Sequence, residues 1–445
     1  MLTAPPYEIR AIETAEPETI KALQIKKLRS QLDYVLNHSP FYQTKFAGVG
    51  FHPGDIKTLK DLAGLPFTTK EDIRSSQADH PPLGNHAIAS MDSIIRIHSS
   101  SGTTGTPSFA GITRKDREIW TEITARSLYA KGVRPDDIVI HAVGLTFFVG
   151  GLPVKDAVEH IGATFVPIGT GASDRVVTTT RLLKANVLHC TPSYATYLAD
   201  YCRNKLKLEP RALGLKKIVS GAEPGAGIPS VRKRIQDDFD CVLTEGMGNG
   251  DVAPIIFGEC AEQQGMHFCA PEFILCELID PESGEVLPLE DGAEGELVYT
   301  HLERECCPLI RFRSRDIITV WTNPCACGRS GFRIRCTGRS DDMLIILGVN
   351  TFPSAIKDVV TSFRPRTTGE IQILLAQPGP KVEPPLNIRV EYAKQVSDLN
   401  LLKADIEMAL REKLVFRADV ELVSEGSLPR FEAKAQLIRK LYEEH

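Results

Sequence analysis

The feature that most limits what this chain can become is an alternation running from about residue 94 to residue 340. Short apolar runs, DIVIHAV (137–143), ATFVPIG (163–169), NVLHCTP (186–192), LKKIVSGAE (215–223) and CVLTEG (241–246), are separated by stretches with helical spacing. A strand apolar on both faces must be covered on both faces, and helical crossovers do this. The pattern therefore predicts an α/β fold with largely buried strands. Around 274–320 the rhythm changes: FILCELID, GELVYTHL and DIITVW follow one another between Gly, Pro and Asp turns. That spacing predicts an antiparallel or barrel-like subregion. Residues 342–445 hold strands of their own (IQILLAQ, LNIRVEY, DVELV) and helices (PSAIKDVVTSF, LNLLKADIEMALREKL), as a small α+β unit would. A chain of 445 residues outgrows a single core. The expected division is a large N-terminal domain over 1–340 and a small mobile C-terminal lid over 341–445. Ahead of the alternation, Ile20, Leu23, Leu28, Leu32 and Val35 predict a helix over 15–37, and Thr68-Thr69 reads as a cap before a helical segment.

Composition removes several functional classes. The formal net charge of -5 lacks the basic excess of a nucleic-acid or membrane-surface binder. No apolar run approaches the roughly 20 residues that span a bilayer. The N-terminal MLTAPPYEIRAIETAEPET has acidic residues and no apolar core, so a cytoplasmic protein is expected. Eleven cysteines in such a chain point to reduced thiols, some of them on a metal, rather than to a disulfide framework.

The densest chemical signal is His98-Ser99-Ser100-Ser101-Gly102-Thr103-Thr104-Gly105-Thr106-Pro107. Glycines let the backbone approach an anion, and hydroxyls add donors to phosphate oxygens. No Lys-Ser/Thr follows the second glycine, so this is not the P-loop. The bland alternative is a polar linker.

With that loop, an ordered series of segments resembles the adenylate-forming superfamily of acyl-CoA synthetases, and within it the phenylacetate-CoA ligase family. The series comprises PFYQTKF, LPFTTKEDIR, CTPSYA, SGAEP, GEC, IDPESGEVLP, GELVYT, PLIRFRSRD, GRSDDMLIILGVNTFPSAI and LPRFEAKA. The resemblance implies a large adenylation domain with a mobile C-terminal domain. It also implies magnesium-dependent activation of a carboxylic acid by ATP to an acyl-adenylate, then transfer to coenzyme A, with a homodimer as the assembly.

The same resemblance assigns roles. Ser100, Ser101, Gly102, Thr103, Thr104, Gly105 and Thr106 would hold the β- and γ-phosphates; Thr106 stands where the family often has lysine. Gly221, Ala222, Glu223 and Pro224 would contact adenine. Met247-Gly248-Asn249-Gly250-Asp251 departs from the family's aromatic-Gly-x-Ser/Thr-Glu motif. Asp251 is the candidate magnesium carboxylate, with Glu245 as the fallback, and Met247 replaces the ring beside adenine. Asp316 would accept both ribose hydroxyls, and Arg339 would contact phosphate. Asp341 marks the hinge, and Lys434 is the catalytic lysine that offsets charge building on phosphorus and leaving pyrophosphate. Rotation at the hinge would withdraw Lys434 and bring Gly348-Val349-Asn350 toward the thiol.

A second constellation is Cys260, His267, Cys325 and Cys327: C-x₆-H, then C-x-C-G after a long gap. Thiolate and imidazole suit a tetrahedral structural zinc. The other reading is free cysteines with a satisfied histidine, and Cys269, Cys306, Cys307 and Cys336 stand near enough in sequence to replace a ligand. For the acid, the stretch His141 to Pro153 corresponds to the family's pocket region. Phe147 and Phe148 would wall a ring, Gly150 and Gly151 would leave space, and His141 and Tyr194 would complete the lining. The plain alternative places the phenylalanines in the core. An aryl or arylacetic acid fits best, with an alicyclic or short branched acid as the alternative. An amine as acyl acceptor and a non-catalytic nucleotide-binding homologue remain the competing readings.

Overall fold

The computed structural model describes residues 10–99, 108–346, 349–430 and 436–443, so residues 100–107, Gly348 and Lys434 lie outside the described residues. The chain opens with α1 (Pro17–His38), in the place the apolar spacing predicts, and α2 (Pro40–Phe46), a short helix that the spacing did not predict. α3 (Lys70–Asp79) starts on a capping box: the Thr69 hydroxyl accepts from Asp72 N, and the Asp72 carboxylate accepts from Thr69 N. An antiparallel hairpin, β1 (Arg96–Ser99) and β2 (Phe109–Ile112), flanks residues 100–107. α4 (Arg114–Ala130) follows it from a second capping box at Thr113 and Asp116.

Five parallel strands come next: β3 (Ile138–His141), β4 (Thr164–Pro167), β5 (Val187–Cys190), β6 (Lys217–Gly221) and β7 (Val242–Asn249). Between them lie α5 (Leu152–Ile161), α6 (Ser173–Leu183), α7 (Pro192–Asn204) and α8 (Pro229–Phe239). The chain then turns antiparallel through β8 (Ala253–Glu259), β9 (Met266–Phe268), β10 (Ile274–Ile279), β11 (Val286–Leu287), β12 (Glu294–His301), β13 (Phe312–Trp321) and β14 (Arg333–Arg339). All of these join one twelve-stranded sheet in the order β11-β10-β12-β13-β14-β9-β8-β7-β6-β5-β3-β4. The reason for the unbroken apolar runs is visible in the packing. Ile140, Leu188, Ile218 and Leu243 pack with Leu198 and Ile235 on one face, whereas Val139, Val187 and Val219 pack with Leu128 and Val158 on the other. Helices cover both faces.

After Arg339 the elements are β15 (Leu344–Ile346), β16 (Val349–Thr351), α9 (Pro353–Thr361), β17 (Thr367–Leu375), β18 (Lys381–Val382), β19 (Leu386–Tyr392), α10 (Leu399–Leu414), β20 (Ala418–Val423) and β21 (Ile438–Lys440). They form a separate four-stranded sheet, β20-β19-β17-β21, and a small three-stranded one. Their core is their own: Ile346, Ile356, Ile373, Ile388, Ile406 and Phe416 pack together. Polar contacts join this part to the rest. Ser230 Oγ donates to Asp358 Oδ1 at 2.6 Å, Arg234 donates to the Thr368 carbonyl at 3.0 Å, and Ser354 Oγ to the Thr337 carbonyl at 2.8 Å.

Candidate active site

Strand direction reverses between β7 and β8, and the C-terminal ends of β6 and β7 open beside that reversal. Crevices at such a switch are where open α/β sheets hold ligands. Gly221 pairs with Gly246 across the two strands. A Cβ at Gly221 would lie 2.6 Å from the Gly246 carbonyl oxygen, and one at Gly248 would lie 1.9 Å from that of Pro254. Neither position accepts a side chain, so the strand ends lie backbone against backbone. Ala222 turns left-handed, at φ 73°. Glu223 is mostly buried, and its carboxylate accepts from Ser193 N at 2.8 Å, fixing the loop to the start of α7. Met247 is only partly buried and packs against the core beneath.

The base of the glycine-and-hydroxyl loop is tied to the loop after β3. The Phe147 carbonyl accepts from Ser99 N at 3.0 Å and faces the His98 ring Nδ1 at 3.1 Å, and the Phe109 and Phe147 rings meet edge to face. Phe147 and Phe148 are 50% and 48% exposed, so they are not core residues. A Cβ at Gly150 would sit at ordinary contact distance, 3.6 Å, from Val143 Cγ1, whereas one at Gly151 would lie 2.5 Å from the Gly144 carbonyl oxygen. His141 and Tyr194 sit deeper. The His141 ring stacks on His189 with their Nδ1 atoms 3.0 Å apart, and burial lowers its pKa to about 4. Tyr194 is 1% exposed, with its hydroxyl 3.2 Å from Ser173 Oγ. The acid-side candidates thus divide into an exposed aromatic pair and two buried groups.

Asp251 lies at the foot of the same loop. Its carboxylate accepts from the Ser108 hydroxyl and pairs with Lys70 Nζ at 3.0 Å. Glu245 points elsewhere, against Gly227; burial, then the neighbouring Glu259, raises its pKa to about 7. Of the two magnesium candidates, Asp251 is the one beside the loop. Lys70 went unnoticed in the sequence because a lysine in a first helical turn is usually solvated. Only the fold carries it to a carboxylate 181 residues away.

In the antiparallel part of the sheet, β13 and β14 bring Asp316 opposite Arg339 in register. Arg339 Nη1 lies 3.5 Å from Asp316 Oδ1, and its Nε and Nη2 donate to both oxygens of Asp341, at 2.8 and 2.9 Å. The fork fixes the guanidinium plane. Burial alone would raise the Asp341 pKa, but the paired Arg339 outweighs it and holds the carboxyl below its usual range. Asp316, Arg339 and Asp341, separated in role by the sequence reading, form one contiguous group.

Comparison with known proteins supplies the decisive observation. The AMP-binding enzyme family model matches residues 45–301, and the AMP-binding enzyme C-terminal domain matches residues 348–440. The phenylacetate-coenzyme A ligase of Thermus thermophilus is 35% identical over 95% of this chain and 96% of its own length. The chain belongs to the adenylate-forming, phenylacetate-CoA ligase-like family. The Escherichia coli phenylacetate-coenzyme A ligase is 34% identical, with 95% of each chain covered. Among solved structures, 2-hydroxyisobutyryl-CoA ligase in its postadenylation state with 2-HIB-AMP matches at a TM-score of 0.91 and 30% identity, covering 99% of this chain and 94% of that one. The same ligase with CoA in its thioesterification state matches at 0.71 and 32% identity, covering 96% and 91%. The family's adenylate-forming architecture is therefore the architecture of this chain, which superposes better on the postadenylation state than on the thioesterification state.

Away from the crevice, the four sequence-predicted ligands converge. One ligand atom from each of Cys260, His267, Cys325 and Cys327 lies within 4.8 Å of the others. Cys260 Sγ and Cys325 Sγ are 3.6 Å apart, and Cys327 Sγ and His267 Nε2 are 3.3 Å apart. A tetrahedron with metal–sulfur bonds of about 2.3 Å has sulfur–sulfur edges of about 3.8 Å. The donor set therefore fits a zinc ion. The pairing of β9 with β14, Arg333 opposite His267, brings the two halves together. Cys269, Cys306, Cys307 and Cys336 lie outside this cluster.

Proposed function

We propose that this protein activates a carboxylic acid with ATP and passes the acyl group to coenzyme A, and that its acid is aryl or arylacetic. The observation that carries the reading is the contiguous Asp316–Arg339–Asp341 group, in a fold shared over nearly the whole chain with ligases that hold acyl-adenylates and CoA. Asp316 receives the ribose diol, Gly221 to Pro224 the adenine edge, and residues 100–107 the β- and γ-phosphates. A carboxylate oxygen of the acid attacks the α-phosphorus, and the bond to pyrophosphate breaks. The thiolate of coenzyme A then attacks the acyl carbon, and AMP leaves. Lys434 offsets the charge of the first step. Magnesium, when bound, neutralises phosphate charge, with Asp251 as its carboxylate. Lys70, next to Asp251, supplies the cation that Thr106 does not.

Residues 1–340 and 341–445 act as the two domains, with Asp341 as the hinge between them. The matching of 2-hydroxyisobutyryl-CoA ligase in several states supports such a movement. Phe147 and Phe148 wall the acid, and their exposure supports a role outside the core. Cys260, His267, Cys325 and Cys327 hold a structural zinc. The test is pyrophosphate release over a panel of acids, followed by mass identification of products with CoA or with amines. Acyl-CoA from an aryl acid is expected. Amide products would transfer the reading to an amine acceptor, and no acid-dependent pyrophosphate with any member would refute it.

A further inference from the structure

One buried cation is used by none of these roles. Lys131 follows α4 directly and is 2% exposed, among the largest fully buried side chains of the molecule. Its main chain is locked at both ends: its N–H donates to the Ser127 carbonyl, and its carbonyl accepts from Thr244 Oγ1 at 3.1 Å. Its ammonium runs under the sheet to donate to the Ser220 carbonyl at 2.7 Å. Ser220 is the residue before the Gly221-Ala222-Glu223-Pro224 loop.

The neighbouring strand is shaped around this ammonium. A Cβ at Gly246 would lie 2.8 Å from Lys131 Nζ and 3.2 Å from its Cδ. Gly246 precedes Met247-Gly248-Asn249, the second segment beside adenine. One ammonium therefore fills the space between the strand ends that lead into both segments. A lysine is rarely placed where water cannot reach it unless its partners are fixed, since the cost of stripping its hydration is several kcal/mol. The charged and titratable groups around it are Glu245 on β7, Glu259 on β8, and His189 and Cys190 on β5. The two carboxylates offset part of that cost. Because Met247 offers no ring to stack on adenine, the position of the backbone there gains in weight.

We infer that Lys131 is a positioning residue for ATP: its ammonium, seated in the gap left by Gly246 and bonded to the Ser220 carbonyl, sets the β6–β7 loops at the spacing that grips adenine. The inference rests on the adenylation reading above. Lys131 touches no reacting atom, so its loss should appear in ATP affinity rather than in acid affinity.

Two substitutions disturb the arrangement from opposite sides. Lys131→Met keeps the buried length and removes the donor; Gly246→Ala keeps the lysine and displaces its ammonium. Each is expected to raise the KM for ATP about tenfold, the size of one hydrogen bond to a charged group, with the KM for the acid within about twofold of wild type. Because both act through one contact, the double variant should be no worse than the poorer single one. An ATP KM unchanged by Lys131→Met, equal rises in ATP and acid KM, or effects that multiply in the double variant would overturn the inference. Should Lys131→Met fail to fold, Gly246→Ala alone decides it. Titration calorimetry of ATP binding to wild type and variants reads the loop without turnover. A wild type that binds ATP but releases no pyrophosphate with any acid would refute the adenylation reading, and leave the calorimetric comparison to judge Lys131.

Discussion

Lowering the pH from 7 to 5 should destabilise this protein through His141, and the size of the effect follows from its surroundings. The ring is fully buried, stacked on His189, and burial lowers its pKa from 6.5 to about 4. In the unfolded chain the same histidine titrates near 6.5. Between the two values the unfolded state binds a proton that the folded state refuses, so stability falls as pH falls. At pH 5 the unfolded chain is favoured by about 1.5 pH units' worth of protonation, roughly 2 kcal/mol at 1.4 kcal/mol per unit. Glu245 works in the opposite direction. Its pKa is raised from 4.5 to about 7, so the folded state takes up a proton first and regains about 2 kcal/mol over the same interval. The total pH curve therefore hides the histidine, and the comparison must be with His141→Gln, which removes that titration. Urea unfolding followed by tryptophan fluorescence, from Trp120 and Trp321, at pH 7 and pH 5 gives the four free energies. The wild-type minus variant difference should become less favourable to wild type by about 2 kcal/mol at pH 5. A difference constant to within about 0.5 kcal/mol would refute the reasoning.

Three further outcomes follow from the site. Metal analysis of the purified protein should find one zinc per chain, and Cys325→Ser should lose it and melt several degrees lower; metal-free wild type with unchanged melting would contradict the zinc reading. Asp316→Asn should raise the ATP KM roughly 100-fold, as expected for weakening two charge-assisted hydrogen bonds worth about 3 kcal/mol together; an ATP KM within threefold of wild type would remove Asp316 from the ribose. Lys70→Met should lower kcat for pyrophosphate release about tenfold, the effect of one charged phosphate contact, with folding retained because Asp251, its partner in the ion pair, keeps the Ser108 hydroxyl; an unchanged kcat would show that another cation replaces the lysine absent at Thr106.

Much of the fold could be read from spacing alone, because its parallel strands are apolar on both faces and nothing else explains runs such as Val187-Leu188. The cap at Thr69 and the helix over Leu28, Leu32 and Val35 were local signals that the packing reinforced. The metal cluster was legible as residue types; its closure depends on β9 pairing with β14, which no spacing reveals. The exposed setting of Phe147 and Phe148 was not readable, since two adjacent phenylalanines suit a core equally well. Lys70 and Lys131 were missed for a common reason. Each looks like an ordinary lysine at a helix end, and its partner, Asp251 or the Ser220 carbonyl, is set by tertiary structure. Cations whose roles come from long-range contact leave no motif.

The central claim is that an acid is joined to AMP with help from one swinging ammonium. Exchange of labelled pyrophosphate into ATP, measured with magnesium and an aryl acid in the absence of coenzyme A, isolates that step. Wild type should exchange label only when acid is present, and Lys434→Ala should lose the exchange by two orders of magnitude or more, about 3 kcal/mol of transition-state stabilisation. Exchange that needs no acid, or that survives intact in Lys434→Ala, would contradict the account.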